Sequence, residues 1–171
     1  MNAHFVLDHG FPANIARQEL QQFLPPGVRI TRLYDLNPAL TRDHEDWQLI
    51  LKLDARGDVN GFITTDDRMT RSPHSMGAMN RSHLTLVVTD ATGHHPVRAT
   101  GLVLTHLTEI AKGLDATPRV FILRPRFDAR APQDHFDHIA SQRGVLPSEQ
   151  WLSVRDAVLA YERDLRRPSE Q

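Results

Sequence analysis

Aspartates stand directly after apolar runs at several places in this chain. Asp8 closes His4-Phe5-Val6-Leu7, Asp66 and Asp67 close Gly61-Phe62-Ile63-Thr64-Thr65, and Asp90 closes Leu84-Thr85-Leu86-Val87-Val88-Thr89. Glu45 and Asp46 add further acids at the start of an amphipathic segment. Carboxylates brought together repel unless a proton or a cation intervenes, so such a set implies raised pKa values or bound metal. Mg²⁺ and Mn²⁺ take oxygen ligands and keep several waters, a demand that carboxylates and a substrate phosphate can meet. An ion held there would orient a water and neutralise charge on the phosphate in the transition state. Phosphodiester hydrolysis is the reaction this chemistry favours. Each acid also has a local explanation, because Asp is common at strand ends and helix caps. Asp67 reads as a plain N-cap, Asp43 as the cap of the helix that follows it, and Asp90 as the first residue of the turn Asp90-Ala91-Thr92-Gly93.

The elements that must position these acids follow from periodicity. Short β-branched or apolar runs predict strands at 4–7, 28–33, 61–65, 84–89 and 120–123. Helical spacing of apolar residues predicts helices over Pro12–Phe23, Asp43–Leu53 and Val97–Lys112, the last stopped by Gly113. Two polar helices, Gln133–Gln142 and Pro147–Arg167, complete the chain, while 37–42 and the Ser/Gly/Asn-rich stretch 70–82 read as loops. Strands alternating with helices imply βαβ crossovers, hence an α/β fold with a mostly parallel sheet of about five strands. The expected division is an α/β domain over 1–125 and a C-terminal helical extension over 126–171, packed on that domain or presented to a partner. Ligands of open parallel sheets bind beyond the carboxyl ends of the strands, where Asp8, Asp66, Asp67 and Asp90 all fall.

Composition narrows the classes. A chain of 171 residues with 40 % hydrophobic and 24 % charged residues suits one ordinary globular domain. No cysteine is present, which excludes disulfides, thiolate catalysis and cysteine-held zinc. No apolar run approaches the roughly 18 residues of a membrane span, and no signal-peptide pattern opens the chain, so no membrane association and a cytoplasmic location are expected. The net charge of −1 gives no global pull on nucleic acid, so any such binding must be local. Arginine dominates the basic residues, with lysine only at Lys52 and Lys112, and its planar fork suits phosphate.

Phe5-Val6-Leu7-Asp8-His9-Gly10-Phe11-Pro12 resembles the opening motif of PIN-like domains, an apolar strand, an aspartate, a polar residue and a proline-started helix. Asp46-Trp47-Gln48-Leu49-Ile50 is similar to the helical acidic motif of that family. Phe62-Ile63-Thr64-Thr65-Asp66-Asp67-Arg68 is similar to its strand followed by threonine, a variable residue and aspartate. The resemblance covers residues 4 to 90. It implies a three-layer α/β/α fold, a Mg²⁺ or Mn²⁺ site and ribonuclease activity, in many bacterial members as the toxin of a toxin-antitoxin pair. Asp8, Asp46 and Asp66 take the catalytic, metal-holding positions, Glu45 competes with Asp46, and Asp67 or Asp90 would supply a fourth acid. RNA is the implied substrate, and a cognate antitoxin and a homodimer are implied partners. His9, where relatives often carry an acid or amide, together with Arg68, Arg71 and Arg81, are candidates for binding RNA phosphates; as surface groups they equally suit a solvated role.

Other classes fit less well. His135 and His138, three residues apart on an expected helix, could share one face as metal ligands, and His94-His95 follow a strand, yet no HExxH motif accompanies them and solvent-facing histidines are expected. Neither GxGxxG nor GxxxxGK[ST] follows any strand, and no serine-hydrolase elbow is present. The alternative to a nuclease is a PIN-like scaffold whose acids are caps and whose work is binding a protein or nucleic acid.

Overall fold

Continuous apolar runs along the central strands make a sheet with two buried faces, since successive side chains turn to opposite sides. In a computed structural model that describes residues 2–11, 22–42, 45–90, 92, 95–114, 117, 119–124 and 128–166, the strands are β1 (Ala3–Leu7), β2 (Val28–Arg32), β3 (Gly61–Thr64), β4 (Thr85–Thr89), β5 (Val120–Leu123) and β6 (Asp128–Arg130). They lie in the order β2-β1-β3-β4-β5-β6. The first five are mutually parallel, and β6 runs antiparallel at the edge beside β5. Helices are α1 (Leu33–Leu36), α2 (Asp46–Ala55), α3 (Pro73–Arg81), α4 (Pro96–Lys112), α5 (Pro132–Gln142) and α6 (Pro147–Leu165), with 3₁₀ turns at Pro38–Thr41 and Asp67–Arg71.

Phe5, Leu7, Ile63, Val87, Phe121 and Leu123 point to one face, where they meet Ala99, Val103, Leu107 and Ile110 of α4. Val6, Phe62, Leu86, Val88 and Val120 point to the other, against residues of α2, α3, α5 and α6. The result is a three-layer α/β/α arrangement. Phe5, Leu7, Phe62 and Ile63 are almost wholly buried, and each such side chain contributes roughly 1.5–3 kcal/mol relative to exposure. Gly61 lets β1 and β3 close up, because a Cβ there would come within 2.7 Å of the Phe5 ring. The C-terminal helices share this core, with Phe136, Ile139, Val154 and Val158 packed among the sheet-facing residues of α2 and α3. Among the described residues no helix is long and apolar enough to cross a membrane.

Several expectations need correction. The stretch 70–82 is not a loop: Ser72 caps α3 by accepting the Ser75 N–H, Pro73 sits in its first turn, and Met76, Ala78 and Met79 are buried. Its Gly77, a loop signal in sequence, sits in close packing, since a Cβ there would meet the Trp151 ring at 3.3 Å. The segment 37–42 contains a 3₁₀ turn capped by the Asn37 side chain. Leu33 begins α1 instead of ending β2, and β6 had no signal in its three residues Asp128–Arg130. His135, expected to face solvent, is buried. The helix expected over Pro12–Phe23 falls largely on residues outside those described, as do Asp43 and His94.

Candidate active site

The strand order places one topological switch at the centre of the fold. From β1 the chain moves outward to β2, then crosses back over β1 to reach β3, so the connections leave the β1/β3 border in opposite directions. That divergence opens a crevice at the carboxyl ends of the strands. Asp8 directly follows β1 and Asp66 follows β3 by two residues, on either side of it.

A cleft of about 590 Å³ occupies this position, with Asp8, Asp46, Asp66 and Arg68 on its walls and Leu33, Leu49, Phe62 and Met69 beneath. Asp46 arrives from the first turn of α2. Its neighbour Trp47 packs edge-on against Tyr161 of α6 with ring centroids 5.1 Å apart, so the last helix braces the helix that carries the acid. Gly10 permits close approach on the other wall, because a Cβ there would lie 2.3 Å from the Thr65 hydroxyl.

Thr64, fully buried at the end of β3, ties the two strand-end acids together. Its hydroxyl donates to Asp8 Oδ2 at 2.9 Å and accepts the Asp66 N–H at 3.0 Å. The other Asp8 oxygen accepts the His9 N–H at 2.7 Å and lies 2.6 Å from His9 Nδ1. Asp66 caps the following 3₁₀ turn by accepting the Arg68 N–H at 2.9 Å. Its carboxylate also takes the Arg68 side chain, with Nη2 2.6 Å from Oδ2.

The electrostatics are those of crowded acids. Protein packed around the carboxyl of Asp46 raises its pKa, even though the residue keeps an exposed side, and the negative charges of Asp66 and Asp8 raise it further. Asp66 is pushed the other way, chiefly by the hydrogen-bonded Arg68 guanidinium. Arg68 in turn is held more firmly in its charged form by Asp66. Asp46 therefore feels the other two carboxylates across the cleft, and the Arg68 side chain supplies a balancing cation. Their donor set is all oxygen, which fits Mg²⁺ or Mn²⁺. As the side chains stand, no group of three among the described histidines and acids is arranged around one ion position, and Arg68 engages both oxygens of Asp66.

The remaining candidates divide. Glu45 is the exposed residue preceding α2, where its N–H donates to Gln48 Oε1 at 3.3 Å, and it does not line the cleft. Asp67 was expected as the cap; Asp66 holds that position, and Asp67 pairs with Arg71. Asp67, Arg71 and Asp90 line a neighbouring cleft, where Asp90 pairs with Arg124. Neither Asp67 nor Asp90 therefore joins Asp8, Asp46 and Asp66 as a fourth acid. Arg81 is far from this chemistry: it bonds the buried Glu162 on α6 at 3.0 Å and fastens α3 to that helix. His9 lies on the first cleft, turned onto Asp8.

Sequence reasoning did not foresee the bridging role of Thr64, although the threonine was part of the motif that drew attention to Asp66. It also missed Arg124, which follows β5 as Asp90 follows β4 and was open to the same strand-end rule. Compared with family models, with curated proteins and with solved structures, the chain matches none of them.

Proposed function

We propose that the chain is a metal-dependent endoribonuclease of the PIN-like kind. The observation that carries this reading is the convergence of Asp8, Asp46 and Asp66 on one cleft at the switch point, with the pKa of Asp46 raised first by the protein packed around it and then by the charges of the other two. The order of the three motifs along the chain and the five parallel strands of the sheet agree with it.

In this reading Asp8, Asp46 and Asp66 hold a Mg²⁺ or Mn²⁺ ion, which when bound supplies an activated water and offsets charge on the phosphate under attack. Thr64 fixes the Asp8 carboxylate through its hydroxyl. Arg68 balances the acids in the free protein and, being largely exposed, would offer its remaining N–H donors to an RNA phosphate at the cleft. The biological setting that suits such an activity is the toxin of a toxin-antitoxin pair. Growth arrest on expression, relieved by a co-encoded antitoxin and retained with Asp8→Asn, would argue against cleavage as the cause.

The grip of Arg68 on both oxygens of Asp66 favours a second reading, a PIN-like scaffold that binds nucleic acid or protein without cutting. One experiment separates the two. Purified protein is incubated with RNA at saturating Mn²⁺ or Mg²⁺, alongside Asp8→Asn and Asp66→Asn variants checked for folding by circular dichroism. Metal-dependent cleavage that both variants lose supports the nuclease; a folded wild type that leaves RNA intact supports the scaffold.

A further inference from the structure

Beyond the 3₁₀ turn Asp67–Arg71 lies a second cleft of about 370 Å³. The turn is the partition: Asp66, Arg68 and Met69 face the first cleft, and Asp67, Thr70 and Arg71 face the second. Arg71 enters the second cleft from the turn and Arg124 from the end of β5, each paired with a carboxylate, Asp67 and Asp90 respectively. The pairs do not exhaust them. The Arg71 side chain is 66 % exposed and that of Arg124 61 %, and a guanidinium carries about five N–H donors, more than one carboxylate takes up. Val88, Ile122 and Ile139 form an apolar floor, and His138 stands on α5 at the wall, 3.1 Å from Gln142. The volume lies in the range of small-ligand sites, roughly 300–1,000 Å³.

Two arginines at the mouth, an apolar floor and polar groups on the wall match the parts of one nucleotide: phosphate, base face and base edge. A concave pocket of this kind receives a base that is not stacked in a duplex. We infer that the second cleft seats the nucleotide next to the scissile phosphate of a single-stranded RNA, with Arg71 and Arg124 on its phosphate. This inference rests on the nuclease reading of the first cleft, and it makes the turn Asp67–Arg71 the ridge across which the strand bends.

The test is binding of a fluorescently labelled single-stranded RNA oligomer, followed by anisotropy in EDTA over a series of salt concentrations. Each phosphate contact contributes about 0.7 to the slope of log K against log salt for a single strand. Arg124→Gln and Arg71→Gln, both at exposed positions, should each weaken binding by about tenfold and make that slope shallower by about 0.7. Arg124→Lys keeps the charge and should keep the slope. Wild-type affinity and slope in both folded glutamine variants would overturn the inference, and the nuclease reading would then still be judged by cleavage in Asp8→Asn. Restoration of wild-type binding in Asp90→Asn/Arg124→Gln would also overturn it, since Arg124 would only have shielded Asp90. A wild type that binds no single-stranded RNA overturns it outright.

Discussion

Thr64 and Asp8 are joined across the switch point by a hydrogen bond of 2.9 Å from the buried hydroxyl to the carboxylate. The same oxygen accepts the N–H of Asp66, so one side chain sets the spacing of two acids that come from different strands. Val at this position keeps the shape and removes both bonds. Thr64→Val should therefore cost about 1–3 kcal/mol of stability, through the lost bonds and the N–H left behind. The loss of support for the acids should lower cleavage by about 10–100-fold. Thr64→Ser keeps the hydroxyl and should recover most of the activity. Thermal melts and kcat read the two effects separately, and a fully active Thr64→Val would show that Asp8 is held by its other partners.

Asp46 should report the burial of its carboxyl together with the charges beside it. Its folded pKa lies above the ordinary 3.8, so its contribution to stability is greatest below that value and is lost as pH rises through the folded pKa. At neutral pH the ionised carboxylate is a burden on the fold. Asp46→Asn should raise Tm by about 1–2 °C at pH 7, a small gain because the group stays in touch with water. The gain should vanish towards pH 3 while metal-dependent cleavage is abolished at every pH. A variant less stable than wild type at pH 7 would contradict this destabilisation by burial and repulsion.

The strands and the two strand-end acids at the switch point, Asp8 and Asp66, were legible in the sequence because both rest on local signals, whereas Asp46 comes from the first turn of a helix. β-branched runs mark the strands, and an aspartate at a strand end is placed at the carboxyl rim whenever the sheet is parallel. What the sequence concealed is set by packing. Gly77 reads as a breaker, yet its missing side chain makes room for Trp151, a residue 74 positions on. Asp67 and Asp90 carry the same signal as Asp66, but the 3₁₀ turn after β3 sends successive acids to opposite sides of a ridge. Arg81 has the composition of a phosphate ligand and serves a helix contact, because its partner Glu162 lies in a distant segment.

His4 supplies a pH dependence unrelated to the cleft. The ring is buried at the start of β1, with Nδ1 2.8 Å from Arg29 Nη2 and 2.9 Å from the Asp58 carbonyl, and Nε2 3.0 Å from the Thr31 hydroxyl. Burial lowers its pKa, and the Arg29 charge adds to the effect against the opposing pull of the Asp58 carbonyl. A histidine depressed in the folded state is protonated first in the unfolded chain, so stability is intact above 6.5 and declines as pH falls from there to the folded pKa. The slope from this one group cannot exceed about 1.4 kcal/mol per pH unit. Urea melts between pH 7.5 and 5 should show wild type losing ground to His4→Gln. Parallel curves for the two proteins would mean that His4 does not titrate in this window.

Arg68 separates ion binding from substrate binding, because the two should respond to its removal with opposite signs. The guanidinium occupies the Asp66 oxygens that an ion needs, and it also holds Asp66 below its ordinary pKa. With Arg68→Gln, Asp66 titrates closer to 3.8 and its oxygens no longer face a competing cation. Exposed ion pairs are weak competitors, so Mn²⁺ affinity at pH 7 should tighten by only about two- to fivefold, as read by electron paramagnetic resonance titration. The same change removes an exposed cation from the cleft, so in the nuclease reading KM for RNA should rise. If Mn²⁺ binding weakens in Arg68→Gln, then Arg68 supports the acids instead of competing for them, and the cleft is built to hold its own arginine in place of a metal.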